Sequence, residues 1–483
     1  MTLDTLASIP WQSGSDVGFN TWLDSTRYYV YFQWWLAVFF PIFSIAIAAV
    51  WMLPKWRCQK AEDSKPHTEM QSVAPEELPA SQPQPKPRMA YLDALKVWLT
   101  LSVVVFHCNC TLCNDFSIAF NIYVCEDIHA EFTNGNCLKH WFIFGFGHEW
   151  RDLNNEYFML LFFFISGVLT PSSLDRKGAY DFIRERVKRL GLPALAWYLL
   201  LGPLLSFVSF HLMGARVGYG NNGSWICGGP PWFIVVLLAF NVIYAVSHEG
   251  NTKVALPSLA VFLMIGAMLG WWQEAIGGDE PFLIFANGVQ QLLGSAVFFS
   301  AGILAKRNNW LQALEQWSTT KIRVLQGLSL GGVGVCFLGN ILGALHEQRI
   351  TGLQSGIVYG IWKVAVSLTL LDLFRRRFNA GGSITTFLVD AHYTVYLIHP
   401  YIVTLAVCSY PVILKGCGLQ VEKVWTDPPL NKLTHGGVQM AFLVEGGEGL
   451  LWLGFLYTVS VTLIIVWPFA WLLRKMPLLN QVL

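Results

Sequence analysis

The sequence predicts an all-α fold, a polytopic transmembrane helix bundle of about eleven helices, and three observations carry that prediction. Only 13% of the 483 residues are charged and 54% are hydrophobic, against roughly 25% charged in an average soluble domain. Apolar runs long enough to cross a bilayer, about 20 residues each, recur from one end of the chain to the other. Lys and Arg cluster in alternate segments between those runs, as the positive-inside rule requires. The formal net charge of +1 argues against a nucleic-acid binder, because no basic excess exists to neutralise phosphates.

Taken in order, the first 27 residues are polar and lack a basic stretch followed by a cleavage site, so no cleaved signal peptide is expected. The run at 29–53 reads as an uncleaved anchor, giving a first unit of tail and helix over 1–53. Residues 54–88 hold seven prolines, mixed charges and one aromatic, Trp56, which is the composition of a disordered cytoplasmic linker. The remaining spans are 92–113, 154–172, 190–212, 232–248, 254–272, 286–305, 324–345, 353–374, 384–409 and 449–473. They make residues 89–483 a single ten-helix working unit.

With the N-terminus on the non-cytoplasmic side and the C-terminus in the cytoplasm, 22 of the 32 Lys and Arg lie in inward segments and 8 in outward ones. Two, Lys96 and Lys363, fall within helices. The expected location is the plasma membrane or an endomembrane, as a multi-pass integral protein. Cys110, Cys113, Cys125, Cys137, Cys227 and Cys417 lie on or beside outward loops, where disulfides are expected. No metal is expected, because the Cys110 and Cys113 pair lacks a second ligand pair at matching spacing. Asn222-Gly223-Ser224 is an outward sequon, predicting a glycoprotein, and Asn109-Cys110-Thr111 is a weaker one close to the bilayer.

Ionisable groups inside a membrane are expensive and mark functional candidates. Lys96 and His107 lie eleven residues apart, which brings both to one face of a helix with a rise of roughly 16 Å between them. A histidine there can take a proton from a hydroxyl and return it to a leaving group, as acyl transfer requires. The alternative is that Lys96 snorkels to the interface and His107 bonds a neighbouring helix. In the span at 384–409, His392, Tyr396 and His399 share a face at i, i+4 and i+7, with Asp390 beside them. This stripe is expected to position an acceptor or a thioester, or to hydrogen-bond a neighbouring helix. Glu156 and Lys363 are further cavity candidates, with Asp390 as a candidate counter-ion of Lys363. Ser166-Gly167 reads as close helix packing rather than a nucleophile. Between Asp175 and Arg189 stand six basic residues against three acidic ones, a charge suited to the phosphates of a coenzyme A thioester. The positive-inside rule supplies such a loop without any ligand as well.

The segments "MAYLDALKVWLTLSVVVFHC" at 89–108 and "LFFFISGVLTPSSLDRKGAYDFIRERVKRLGLPALAW" at 161–197 resemble the membrane-bound acyltransferase family 3. The likeness is to its branch of glucan-modifying, succinyltransferase-like proteins. "GGPPWFIVVLL" at 228–238 and "YTVYLIHPYIV" at 393–403 follow in the family's order. The resemblance implies an O-acyltransferase of a biosynthetic route, moving an acetyl, succinyl or similar group from acyl-CoA to a hydroxyl of a glycan or a lipophilic secondary metabolite. It implies His107 as the base, Lys96 as its electrostatic partner, and Arg184, Arg186 and Arg189 as a donor-side clamp. Lys96 stands where the family also uses Arg, without that side chain's bidentate fork. The anchor, the linker and the outward loops at 114–150 and 410–447 lie outside the pattern. Expected partners are the bilayer, acyl-CoA and a hydroxyl-bearing acceptor. The alternative is a polytopic secondary transporter, although the two halves show no similarity of the kind such proteins carry. A glycosylated receptor or scaffold is a third reading, and it leaves the Lys96 and His107 face unexplained.

Overall fold

The structure, a computed structural model, describes residues 89–110, 120–125, 147–202, 204–205, 231–247, 253–276, 288–346, 353–379, 383–426, 439–477 and 479. The anchor at 29–53, the linker at 54–88 and the sequon at Asn222 lie outside the described residues.

Each of the ten expected spans of the working unit meets a described helix. The first helix is α1 (Ala90–Cys110), followed by α2 (His148–Arg186). Gly178 divides α2: its φ of 74° is a conformation that suits glycine, so the chain turns there before continuing. It then runs through two π-helical turns, Val187–Gly191 and Trp197–Leu201, on either side of α3 (Leu192–Ala196). Next come α4 (Trp232–Ser247), α5 (Leu259–Ile276), α6 (Gly288–Arg307) and the short α7 (Trp310–Glu315). The chain continues as α8 (Thr319–His346), α9 (Leu353–Arg377), α10 (Ser383–Gly416) and α11 (Gly449–Lys475). Among the described residues, five helical segments are long and apolar enough to cross a bilayer, with the stretch from α2 through Leu201 counted as one. This is a multi-pass membrane protein.

Small residues let the helices approach at backbone distance, the packing available where lipid offers no hydrophobic drive. Gly266 and Gly270 of α5 face Gly356 and Gly360 of α9, and a Cβ on any of these four would collide with the opposite helix. Gly167 of α2 meets Gly302 and the Phe299 carbonyl of α6 in the same way, which accounts for Ser166-Gly167 as packing. Helix α1 lies against α2, α9, α10 and α11, so its side chains occupy the middle of the bundle. Leu92, Leu95, Leu99 and Val104 are buried there.

The helices share a basic end, holding Arg176 to Arg189, Arg307, Arg375 to Arg377 and Arg474. At the opposite end the expected all-α architecture needs a correction. A three-stranded sheet forms from β1 (Phe120–Cys125), β2 (Val421–Thr426) and β3 (Gln439–Glu445) in the order β1-β3-β2. β1 pairs parallel to β3, with Phe120 opposite Met440, and β2 pairs antiparallel to it, with Val421 opposite Val444. Val, Ile, Tyr, Phe and Trp dominate these segments, as pleated surfaces favour, and they fall in the two long loops where no helix was expected.

Candidate active site

The seam between α1 and α10 carries the chemistry. Both helices begin at the basic end, so their polar residues meet at two levels. At the level nearer the sheet, the His107 and His399 rings lie 5.0 Å apart between centroids, tilted by 36°. Phe106 stands edge-on to His107 at 5.1 Å and to Phe158 of α2 at 5.4 Å, which walls the pair with apolar rings.

The orientation of His399 follows from the residue after it. Pro400 has no N–H, so the Tyr396 carbonyl loses its usual i to i+4 partner. The His399 Nδ1 takes that carbonyl instead, at 2.8 Å. A carbonyl oxygen only accepts, so Nδ1 carries the hydrogen and, in the neutral ring, Nε2 carries the lone pair. His399 is fully buried, and neither its Nε2 nor Nδ1 of His107 meets a hydrogen-bond partner among the described residues. Buried polar atoms in folded proteins are nearly always satisfied. Two open imidazole nitrogens side by side therefore mark a place where a reacting molecule completes the hydrogen bonding.

The second level lies toward the basic end. Lys96 pairs with Asp93 at 2.6 Å, and Lys96, Asp93 and Arg474 all act electrostatically on His392. His392 Nδ1 meets the Val389 carbonyl at 2.5 Å. Lys96 is thus beside His392 rather than His107, which lies roughly 16 Å further along α1. Tyr396 stands between the levels, its ring 6.2 Å from His399 and 6.0 Å from Phe233 of α4. His392, Tyr396, His399 and His107 do line one seam, as their shared face implies. Asp390 is exposed on the other side of α10.

The basic segment runs beside this seam. Tyr393 of α10 donates to the Arg189 carbonyl at 2.7 Å, and Tyr401 donates to the Leu201 carbonyl. Arg186 lies over the Phe182 ring at 4.9 Å, with its Nε buried and unpartnered among the described residues. Arg189 reaches Glu185 at 3.5 Å and stays largely exposed. Arg184 is also exposed, but two residues from Arg186 it points to nearly the opposite side of the helix. Only Arg186 and Arg189 share a side.

Lys363 finds a different partner from the one expected. Its ammonium pairs with Glu156 of α2, not Asp390, and donates to the side-chain oxygen of Gln273 of α5 at 2.9 Å. Residue spacing gives the face of a helix but not the helix opposite, so the Glu156 and Lys363 pairing was out of reach of the sequence. Asn109, the weaker sequon, is fully buried and donates its amide to the Gly147 carbonyl at 2.7 Å, which leaves no accessible nitrogen for a glycan. Sequence reasoning also passed over Thr458 and Thr462 of α11, both fully buried. Thr462 accepts from the Cys108 thiol at 3.8 Å, so this threonine face meets α1 at the residue that follows His107. Two hydroxyls at i and i+4 in an otherwise apolar helix were the available signal. Among the described residues no cluster of His, Cys, Asp and Glu could hold a metal ion.

Comparison with known proteins yields a family and a set of distant relatives. The model of a family described as an acyltransferase domain, acyltransferase 3, matches residues 89–471. The glucans biosynthesis protein C of Salmonella typhi is 25% identical over 350 residues, covering 65% of this chain and 82% of that protein. Its counterpart in Salmonella typhimurium matches equally, and that of Salmonella paratyphi A is 26% identical over 351 residues, with the same coverage. No solved structure matches.

Proposed function

The chain belongs to this acyltransferase family, and from that premise we propose that it moves an acyl group from acyl-CoA to a hydroxyl of a glycan or a lipophilic metabolite. The reading rests on one observation above the others, the neighbouring imidazoles of His107 and His399, whose buried Nδ1 and Nε2 atoms meet no hydrogen-bond partner among the described residues. Family membership does not favour the transporter alternative.

The basic end faces the cytoplasm, by the distribution of Lys and Arg, and the C-terminus with it. The donor's phosphates sit at Arg186 and Arg189, with Arg184 at the rim, and guanidinium forks match phosphate oxygens. Lys96 and His392 receive the thioester arm partway along the seam. At the inner level His107 takes the proton of the acceptor hydroxyl as its oxygen attacks the thioester carbonyl. The new C–O bond forms, the C–S bond breaks, and the coenzyme A thiolate leaves with the proton that His107 returns. A neutral His399, its hydrogen committed to Tyr396, offers Nε2 as an acceptor that holds the acceptor hydroxyl or the His107 ring in register. Transfer is direct, with no acyl-enzyme, since among the described residues no Ser or Cys pairs with His107 as a nucleophile requires.

The test is release of coenzyme A by purified full-length protein supplied with acyl-CoA and an acceptor extract. His107→Ala should lose about 10²- to 10⁴-fold in turnover, the usual worth of a general base. Retained turnover would remove His107 from the chemistry.

A further inference from the structure

The basic segment is joined to the helix that carries His399 by two matched hydrogen bonds. Residues 187–201 depart from α-helical geometry twice, at the π turns Val187–Gly191 and Trp197–Leu201. In each turn an N–H reaches back five residues, Leu192 to the Val187 carbonyl and Gly202 to the Trp197 carbonyl. One carbonyl of each turn accepts from a tyrosine of α10: Arg189 from Tyr393 at 2.7 Å, and Leu201 from Tyr401. Single π turns of this kind are frequent at functional sites.

The sequence makes the first joint necessary. Pro193 stands four residues after Arg189 and has no N–H, so the Arg189 carbonyl loses its α-helical partner. Backbone groups in a membrane protein need a partner from elsewhere when the helix supplies none, and the Tyr393 hydroxyl is that partner.

What the joint fixes is the place of two arginines. Arg186 lies over the Phe182 ring with its Nε unpartnered among the described residues. Glu185 is shared by Lys177 and Arg189, so the segment keeps a formal excess of positive charge. Both arginines lean toward the basic end, the direction in which helical side chains tilt. Tyr393 and His399 belong to one continuous helix, six residues and about 9 Å apart along it. The arm of coenzyme A has about thirteen bonds from its nearest phosphorus to its sulfur, roughly 16 Å when extended. The arginine reach beyond Tyr393 makes up the difference of about 7 Å.

We propose that Tyr393 is a positioning residue for the donor: by holding the Arg189 carbonyl it sets Arg186 and Arg189 at one phosphopantetheine arm's length from His399. This inference rests on the acyl-transfer reading with coenzyme A as donor. Tyr393 touches no reacting atom and acts through Arg189.

The test is equilibrium binding of coenzyme A, and of pantetheine as the same arm without phosphates, to the full chain in phosphatidylcholine nanodiscs by saturation-transfer NMR titration. Tyr393→Phe removes only the hydroxyl and should weaken coenzyme A about fivefold to tenfold, the effect of one lost hydrogen bond, with pantetheine unchanged. Tyr401→Phe deletes the matching bond of the second turn and measures what looser docking does by itself; coenzyme A binding should stay within about twofold. In an Arg189→Gln background most of the Tyr393→Phe loss should vanish, because the two residues act as one unit. Unchanged coenzyme A binding in Tyr393→Phe, equal weakening of both probes, equal weakening by Tyr401→Phe, or full additivity with Arg189→Gln would each overturn the positioning role. A wild type that binds neither probe would instead overturn the donor reading beneath it, and the positioning role with it.

Discussion

Removing one partner of the Glu156 and Lys363 pair should destabilise the protein far more than removing both. Lys363 is 4% exposed and Glu156 17%, so Lys363→Met strands a carboxylate inside the bundle. Breaking a buried pair in this way costs about 3–5 kcal/mol. Gln273 still donates to Glu156, and one such bond returns about 1 kcal/mol, leaving a net loss of about 2–4 kcal/mol. Exchanging both residues, Lys363→Met with Glu156→Leu, removes the charge problem, and double replacements of this kind are often neutral or stabilising by about 1–4 kcal/mol. The measurement is the temperature at which the detergent-solubilised protein loses its monodisperse size-exclusion peak. The single variant should lose several degrees and the double variant should recover most of them. A single variant as stable as the wild type, or a double variant no better than the worse single, would refute the idea that the two charges are held in a low-dielectric setting.

Three further outcomes are expected. Pro400→Ala restores a backbone N–H that competes for the Tyr396 carbonyl, so the His399 ring loses its fixed tautomer; turnover should fall about tenfold or more, while the melting temperature holds or rises, by comparison of coenzyme A release with thermal stability. Gly270→Leu drives a side chain into the Gly356 backbone and should cost about 1–3 kcal/mol or more, whereas Gly327→Ala on α8 meets nothing and should stabilise by about 0.5–1 kcal/mol; both are read from heat denaturation. In the sheet, burial and then the nearby Lys415 push Lys423 down to about 8 from its usual 10.5. The folded state therefore sheds the proton first, and stability should rise from about pH 8 to pH 10.5, then level off; amide exchange across β2 and β3 follows this, and Lys423→Met should flatten it.

The helices were legible because twenty apolar residues in a row leave the backbone one common solution in lipid. Their ends were less so. Helix α10 continues past the expected 409 to Gly416 because Pro411 is accommodated within it, and α2 runs on until Gly178 turns the chain. The stripe of His392, Tyr396 and His399 was legible as a face; that it meets His107 at one end and Lys96 at the other depends on α1 and α10 lying side by side, which periodicity does not encode. Lys363 shows the limit most plainly. Its need for a counter-ion followed from burial alone, yet Asp390, the acid expected to supply it, is exposed, and the partner comes from two hundred residues earlier. The sheet was missed for the related reason that its strands are short and their partners distant.

That distance has a consequence for how the molecule is made. β1 leaves the translating ribosome more than three hundred residues before β3, its parallel neighbour. Contacts so remote in sequence form late, since the intervening chain must be ordered before they are favourable. The ladder from Phe120 to Cys125 is therefore completed only once α10 is inserted and β3 has followed it out. Until then the strand waits with its edge unpaired, a stage at which such segments aggregate or recruit a chaperone. The sheet acts as a closing stitch, and a chain truncated before Gln439 would keep most of its helices and yet never finish.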